Sequence, residues 1–89
     1  MSEAGALLDG PLTFATAEPW FGRLDALTAG DTLDLGQVTH CDSAGAALLL
    51  ELRRTALKKG RSLAFINAPR QLRDLVIFFG LDDVLGLAA

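Results

Sequence analysis

Hydrophobic residues recur along this chain at two alternating spacings, one typical of strands and the other typical of helices. Short runs or alternating apolar positions predict strands at residues 6–8, 32–38 and 62–66. Apolar positions three and four apart predict helices near residues 17–29, 43–59 and 69–79. Turn-forming and helix-terminating residues lie at these bounds. Asp9, Gly10 and Pro11 close the first strand, and Gly30, Gly60 and Gly80 follow the three helices.

The alternating order of strands and helices predicts an α/β fold. Parallel strands need crossover connections, and a helix between successive strands supplies them. We therefore expect a parallel or mixed sheet of three to four strands with helices mainly on one side. The 89 residues are enough for one domain spanning 1–89 and too few for a second core.

The longest predicted helix carries two apolar stripes. At 100° per residue, one face holds Gly45, Leu48, Leu49, Leu52 and Ala56, which we expect to lie on the sheet. A second stripe, flanked by Arg53 and Arg54, holds Ala46, Leu50 and Leu57. An apolar stripe edged by arginine is typical of a protein-binding surface. The alternative is that this stripe packs under a neighbouring helix of the same domain.

These patterns predict which large side chains are buried. The expected core residues are Trp20, Leu48, Leu52, Phe65, Leu72, Leu75 and Phe79. Leu50 and Leu57 are expected to remain largely exposed. Ile77 and Phe78 lie beside the core stripe of the last helix, so that one of them is a candidate for a second interaction surface.

Asp42 and Ser43 form an acidic-hydroxyl turn that opens directly into the long helix. Free N–H groups in the first turn, together with the helix dipole, favour an oxygen-bearing group at this point. The simplest interpretation is an N-cap that only stabilises the helix. The other interpretation is a contact site at which the helix start meets a partner.

Composition and charge exclude several classes of function. Hydrophobic residues make up 51% of the chain and charged residues 21%, which argues against disorder. The net charge of −3 argues against nucleic acid as a partner. Because the chain has one Cys and one His, it offers no zinc site, and we expect no metal and no cofactor. His40 and Cys41 find no partner for a catalytic set, so an enzyme is not expected.

Five basic residues gather near the end of the long helix: Arg53, Arg54, Lys58, Lys59 and Arg61. They are candidates for a phosphate or lipid-headgroup site, or simply for a solvated face that the helix dipole favours. The acidic N-terminus does not read as a signal peptide, and no apolar run approaches the roughly 18 residues that cross a bilayer. We therefore expect a soluble cytoplasmic protein that reaches a membrane only through a partner.

Taken together, the run LDLGQVTHCDSAGAALLLELRRTALKKG, the strand SLAFINA and the segment LRDLVIFFGLDDVL resemble the STAS domain family. The similarity extends from about residue 6 to residue 87 and rests on the order of these segments. This family includes anti-sigma-factor antagonists and the MlaB-like subunits of bacterial phospholipid-transport ABC complexes. Compared with fuller members the chain is shorter at both ends, which leaves open an outermost strand and a final helix.

The two branches of this family differ at the residue before the glycine of the turn. Anti-sigma antagonists resemble D-S-S-G, and the serine directly before the glycine accepts phosphate. Here that residue is Ala44, which has no hydroxyl, although Ser43 precedes it. The MlaB-like branch resembles D-T-A-G, and Asp42-Ser43-Ala44-Gly45 fits it with serine replacing threonine.

The resemblance therefore implies a non-enzymatic accessory subunit that binds the ATPase of an ABC-type phospholipid transporter and supports its assembly or activity. Ser43 would then cap the helix and contact the partner. The residues expected to bind the partner are Asp42, Ser43, Ala46, Leu50, Arg53, Arg54 and Leu57. The alternative is an anti-sigma-factor antagonist regulated by serine phosphorylation. Ser43 would then be the candidate phosphorylation site.

Overall fold

A computed structural model describes residues 6–86 of the chain, which form three strands and five helices. In chain order these are β1 (Ala6–Leu12), α1 (Glu18–Phe21), α2 (Leu24–Leu27), β2 (Thr32–Cys41), α3 (Ser43–Lys58), β3 (Ala64–Ile66), α4 (Arg70–Phe78) and α5 (Asp82–Leu85). The strands are parallel and stand in the order β1-β2-β3. The predicted α/β fold with a small parallel sheet is confirmed.

The helices cover one face of this sheet. Inward-facing strand residues such as Leu8, Leu33, Leu35 and Phe65 are buried together with apolar residues of α2, α3, α4 and α5 in one core cluster. On the opposite face Leu7, Asp34 and Ile66 lie in register across the three strands, and Leu7 and Ile66 are exposed. The predicted placement of helices mainly on one side is therefore correct.

The first strand is longer than its sequence pattern predicts. Gly10 and Pro11 were expected to end it, yet β1 continues to Leu12 with irregular register on both sides of Gly10. Gly10 adopts a positive φ of 74°, which a glycine tolerates in a bulge. Pro11 is acceptable because β1 lies at an edge of this sheet. The extension brings Leu12 beside the start of α3.

The predicted helix at 17–29 is interrupted. It consists of α1 and α2, separated at Gly22 and Arg23. Gly22 N–H donates to the Pro19 carbonyl at 3.2 Å and Arg23 N–H donates to the Trp20 carbonyl at 2.9 Å, which closes α1. Trp20 is half-buried rather than mostly buried, and its ring lies 5.1 Å from the Arg23 guanidinium carbon. Sequence spacing alone did not reveal the break because the apolar residues keep their helical positions through it.

α3 presents the predicted face to the core. Leu48, Leu49, Leu52 and Ala56 are fully buried, so the assignment of this face is confirmed. Phe65 and Leu72 are also buried as predicted, whereas Leu75 is only half-buried. No helix among residues 6–86 is both long enough and apolar enough to cross a membrane.

The expectation of a buried Phe79 is wrong. Phe79 lies one residue beyond α4, at its C-cap, and remains 46% exposed. Leu72 and Val76, one helical turn apart, supply the buried contacts of α4, so the chain has already turned away from the core at Phe79. Ile77 and Phe78 are both exposed.

A short helix, α5, follows α4 and packs beside α3. The Arg53 guanidinium donates from Nη2 to the Leu85 carbonyl oxygen at 3.0 Å, at the end of α5. The same guanidinium lies 5.3 Å from the centre of the Phe65 ring. Arg53 therefore ties α5 to α3.

Candidate functional site

The turn before α3 is fixed by Asp42. Its Oδ1 accepts a hydrogen bond from Ala44 N–H at 2.8 Å, which makes Asp42 the N-cap of α3. Its Oδ2 accepts another from Phe14 N–H at 3.2 Å, and its own N–H donates to the Leu12 carbonyl at 3.1 Å. The carboxylate thus joins the helix start to the loop after β1. The expected cap at Ser43 is wrong: Asp42 is the cap.

Gly45 allows α3 to approach the end of β1 closely. A Cβ at this position would lie 3.0 Å from the Leu12 carbonyl oxygen and 3.1 Å from the Cβ atoms of Leu12 and Cys41. These distances are tighter than ordinary van der Waals contact. The close packing between α3 and β1 therefore favours a glycine at this position of the turn.

Ser43 and Ala44 have opposite environments although they are neighbours. Ser43 is the first residue of α3 and is exposed, whereas Ala44 is only 8% exposed. Both line an open groove of about 590 Å³ at the start of α3. The hydroxyl of the turn is therefore available to a partner, and the methyl group of Ala44 forms part of the adjacent apolar wall.

The wall of this first groove is mostly apolar and comes from two parts of the chain. Beside Ser43 and Ala44 it is lined by Phe14, Ala17, Glu18, Phe21 and Ala47. Phe14 is 82% exposed. Sequence patterns gave no reason to select Phe14, because it lies in a loop without periodicity.

A second groove lies on the other side of the same helix. It has a volume of about 310 Å³ and is lined by Ser43, Ala46, Ala47, Leu50, Phe79 and Leu81. Ser43 and Ala47 line both grooves, so the two small side chains form a ridge with an apolar depression on each side. Ala47 was missed in the sequence, although it lies four residues after Ser43 on the same helical face.

The predicted apolar stripe of α3 is only partly exposed. Leu57 is 62% exposed, as expected. The expectation for Leu50 is wrong: this side chain is half-buried, packs against the core and lines the second groove. Ala46 is buried, also contrary to its place in an exposed stripe, because it faces the side of α3 where Phe79 and Leu81 lie.

The two arginines beside this stripe differ in role. Arg53 is half-buried and bound to the end of α5, so it is not displayed as a free contact residue. Arg54 is exposed and forms a 2.7 Å ion pair with Glu51 on the same helix. Of the two, only Arg54 is accessible to a partner.

The basic residues at the end of α3 mostly serve the fold. Lys59 Nζ lies 3.3 Å from Asp25 Oδ1 and 3.0 Å from Thr28 Oγ1, and Arg61 Nη1 donates to the Ala29 carbonyl at 2.9 Å. These contacts place two positive charges beside the C-terminal end of α2, where the helix dipole favours them. With Arg53, which binds the Leu85 carbonyl, three of the five candidate cations of the phosphate-site interpretation are therefore engaged within the domain.

Cys41 ends β2 and is half-buried. Burial raises the pKa of its thiol, and the adjacent Asp42 carboxylate raises that pKa further. A protonated thiol is a weak nucleophile, which agrees with a structural role. Among residues 6–86, no group of three or more potential metal ligands lies together.

Comparisons with known proteins identify the family to which this fold belongs. A model of the family described as "Mlab, STAS domain" matches residues 4–87, nearly the whole chain. The chain belongs to the STAS domain family.

Two known proteins are similar to this STAS domain. The "Intermembrane phospholipid transport system binding protein MlaB" of Haemophilus influenzae is 31% identical over 83 residues, covering 85% of this chain and 79% of the relative. The structure of the anti-sigma factor antagonist SpoIIAA in its unphosphorylated form matches with a TM-score of 0.68 at 19% identity, covering 100% of this chain and 96% of that one. The second likeness shows the fold alone.

Proposed function

We propose that this STAS domain is a non-enzymatic accessory subunit of a phospholipid-transport complex and that it binds the ATPase of that complex. The observation that carries the proposal is the start of α3, where exposed Ser43 stands between two apolar grooves. The similarity to a relative named as an intermembrane phospholipid transport system binding protein supports the choice of complex. A surface without convergent nucleophile and base is suited to binding rather than to chemistry.

The contact surface is revised from the stripe that the sequence predicts. Ser43 and the exposed part of Leu50 lie at its centre, and Arg54 and Leu57 extend it along α3. Asp42 and Arg53 support this surface from within, since their side chains bind other parts of the domain. Ala46 contributes through the wall of the second groove.

Such a contact can regulate an ATPase without any chemistry of its own. A protein that binds one conformation of its partner more tightly than another shifts the partner toward the favoured conformation. The size of that shift is set by the difference between the two affinities. Assembly would be promoted in the same way if the ATPase is more stable when bound.

The proposal is tested by isolating the tagged domain from its native cells and identifying the bound proteins by quantitative mass spectrometry. The wild-type domain should co-purify with a transporter ATPase. Ser43→Glu adds bulk and charge at the contact, yet an acidic residue is favourable at a helix start, so the fold should stay intact while recovery of the ATPase falls at least about tenfold. Gln71→Glu is the matched control, because it adds the same charge at an exposed position of α4.

Recovery of an anti-sigma factor in place of an ATPase would contradict the proposal and favour the signalling alternative. Intact-mass analysis of the same preparation, with and without phosphatase, examines that alternative directly. A stoichiometric phosphate on Ser43 would support the signalling function, since the exposed hydroxyl is accessible to a kinase. An unmodified chain that co-purifies with an ATPase would support the transport function.

A further inference from the structure

We infer that the element of the partner that binds this surface is an amphipathic helix with basic residues beside its apolar face, lying across α3 at Ser43 and Ala47. This inference rests on the proposed function, because it specifies the chemistry of the partner for the same surface. The proposed function names an ATPase as the partner. The inference adds which kind of element of that ATPase occupies the grooves, and what charge this element carries.

The shape of the surface favours a helix. Ser43 and Ala47 are four residues apart and form one ridge, with a groove of about 590 Å³ on one side and a groove of about 310 Å³ on the other. Helices pack by placing the ridges of one into the grooves of the other. Because both ridge residues are small, the backbone of a second helix can approach closely while its larger side chains enter the grooves.

The walls of both grooves are aromatic at their outer edges. Phe14 stands at the first groove and is 82% exposed, and Phe79 stands at the second and is 46% exposed. The backbone N–H of Phe14 donates to Asp42 Oδ2, which joins this loop to the start of α3. Aromatic side chains contribute large apolar areas to protein interfaces.

Acidic residues beside the grooves favour a partner with basic side chains. Glu18 lines the first groove, and Asp82 follows Leu81, which lines the second. Among residues 6–86, neither carboxylate lies within salt-bridge distance of a basic side chain. Charges across an interface are usually complementary, so Lys or Arg is expected beside the apolar residues of the partner helix.

The inference is tested with two synthetic helical peptides that share an apolar leucine face and carry either Lys or Glu on the other face. NMR chemical shifts of the labelled domain should change at Phe14, Phe21, Ala47 and Phe79 when the Leu/Lys peptide is added. The Kd for this peptide should be at least about tenfold lower than that for the Leu/Glu peptide. Equal affinities, or shifts confined to Ile77 and Phe78 or to the open face of the sheet, would overturn the inference.

Variants separate a specific groove from general attraction between a cationic peptide and an acidic domain. Ala47→Trp fills the space above the ridge and should abolish binding, whereas Lys58→Trp places the same side chain on α3 away from both grooves and should not. Glu18→Lys should weaken binding of the Leu/Lys peptide at least about tenfold, and Asp31→Lys, which changes net charge equally at a remote exposed position, should weaken it less than about twofold. If Glu18→Lys and Asp31→Lys weaken binding equally, the peptide responds only to the net charge of the domain, and the inference is overturned.

The outcome is independent of the test of the proposed function. If an ATPase co-purifies through Ser43 but the peptides do not discriminate, the partner stands and the basic helix is wrong. If the Leu/Lys peptide binds the grooves but no ATPase is recovered, the chemistry of the surface stands and its assignment to lipid transport is wrong. Vesicles of anionic phospholipid serve as a third probe, and preferential binding of these vesicles to the grooves would also overturn the inference.

Discussion

Replacing Asp42 by alanine should destabilise the domain, whereas replacing its exposed neighbour Ser43 should not. The Asp42 carboxylate accepts two backbone hydrogen bonds, one at the start of α3 and one from Phe14 in the loop after β1. Ser43 follows the cap and is exposed at the first helical position. Asp42 is therefore expected to act on the stability of the domain, and its neighbour Ser43 on partner binding.

The expected loss for Asp42→Ala follows from these two contacts. Removal of an N-cap costs about 0.5–2 kcal/mol. The second bond, longer at 3.2 Å and exposed, adds about 0.5–1 kcal/mol, at the lower end for hydrogen bonds. The sum is about 1–3 kcal/mol, which for a domain of this size lowers Tm by roughly 5–20 °C. Ser43→Ala should change the free energy of unfolding by less than about 0.5 kcal/mol.

Urea denaturation followed by circular dichroism measures the free energy of unfolding of both variants. Co-purification of the ATPase measures their partner binding. Asp42→Asn is the matched control: it keeps one acceptor for the cap but loses the other, so its stability should fall between those of wild type and Asp42→Ala. Equal losses of stability for Ser43→Ala and Asp42→Ala would refute the assignment of the cap. Unchanged stability of Asp42→Ala would show that neither hydrogen bond contributes.

Three other substitutions test the packing around this surface. Gly45→Ala gains about 1 kcal/mol of helix propensity. It also forces a Cβ to 3.0 Å from a backbone oxygen of β1, an overpacking cost of about 1–3 kcal/mol. Thermal denaturation should therefore show a net loss of stability. Leu50→Asp should lower the free energy of unfolding clearly, whereas Leu57→Asp should leave it within about 0.5 kcal/mol, and equal effects would contradict their different burial. Arg53→Met should cost about 1–2 kcal/mol and increase hydrogen exchange in α5, and unchanged exchange there would refute its role as the tie to α5.

The order of elements could be predicted because each buried face follows a regular spacing. Leu48 and Leu52 are one turn apart on the core face of α3, and their burial follows from 3.6-residue periodicity alone. The break between α1 and α2 could not be predicted in the same way. Gly22 ends one short helix through its own backbone N–H, and the apolar pattern continues across the break.

The site was predicted less well than the fold because its walls come from distant parts of the chain. Phe14 is joined to the start of α3 by a hydrogen bond to Asp42, which lies 28 positions further along the chain. Phe79 was assigned to the core by its spacing, but it falls beyond the end of α4, where that spacing no longer applies. Helical periodicity identified the exposed Leu57 correctly, since Leu57 still lies within α3, one residue before its end.

The turn that opens α3 separates the requirements of folding from those of recognition, residue by residue. Asp42 and Gly45 are in contact with the end of β1 and the loop after it, so changing either is expected to lower the stability of the domain. Ala44 is nearly buried, and its methyl group forms part of the apolar wall of the first groove. Ser43 alone faces solvent at this point. A change of partner can therefore be accommodated at Ser43 while the neighbouring residues preserve the same helix start.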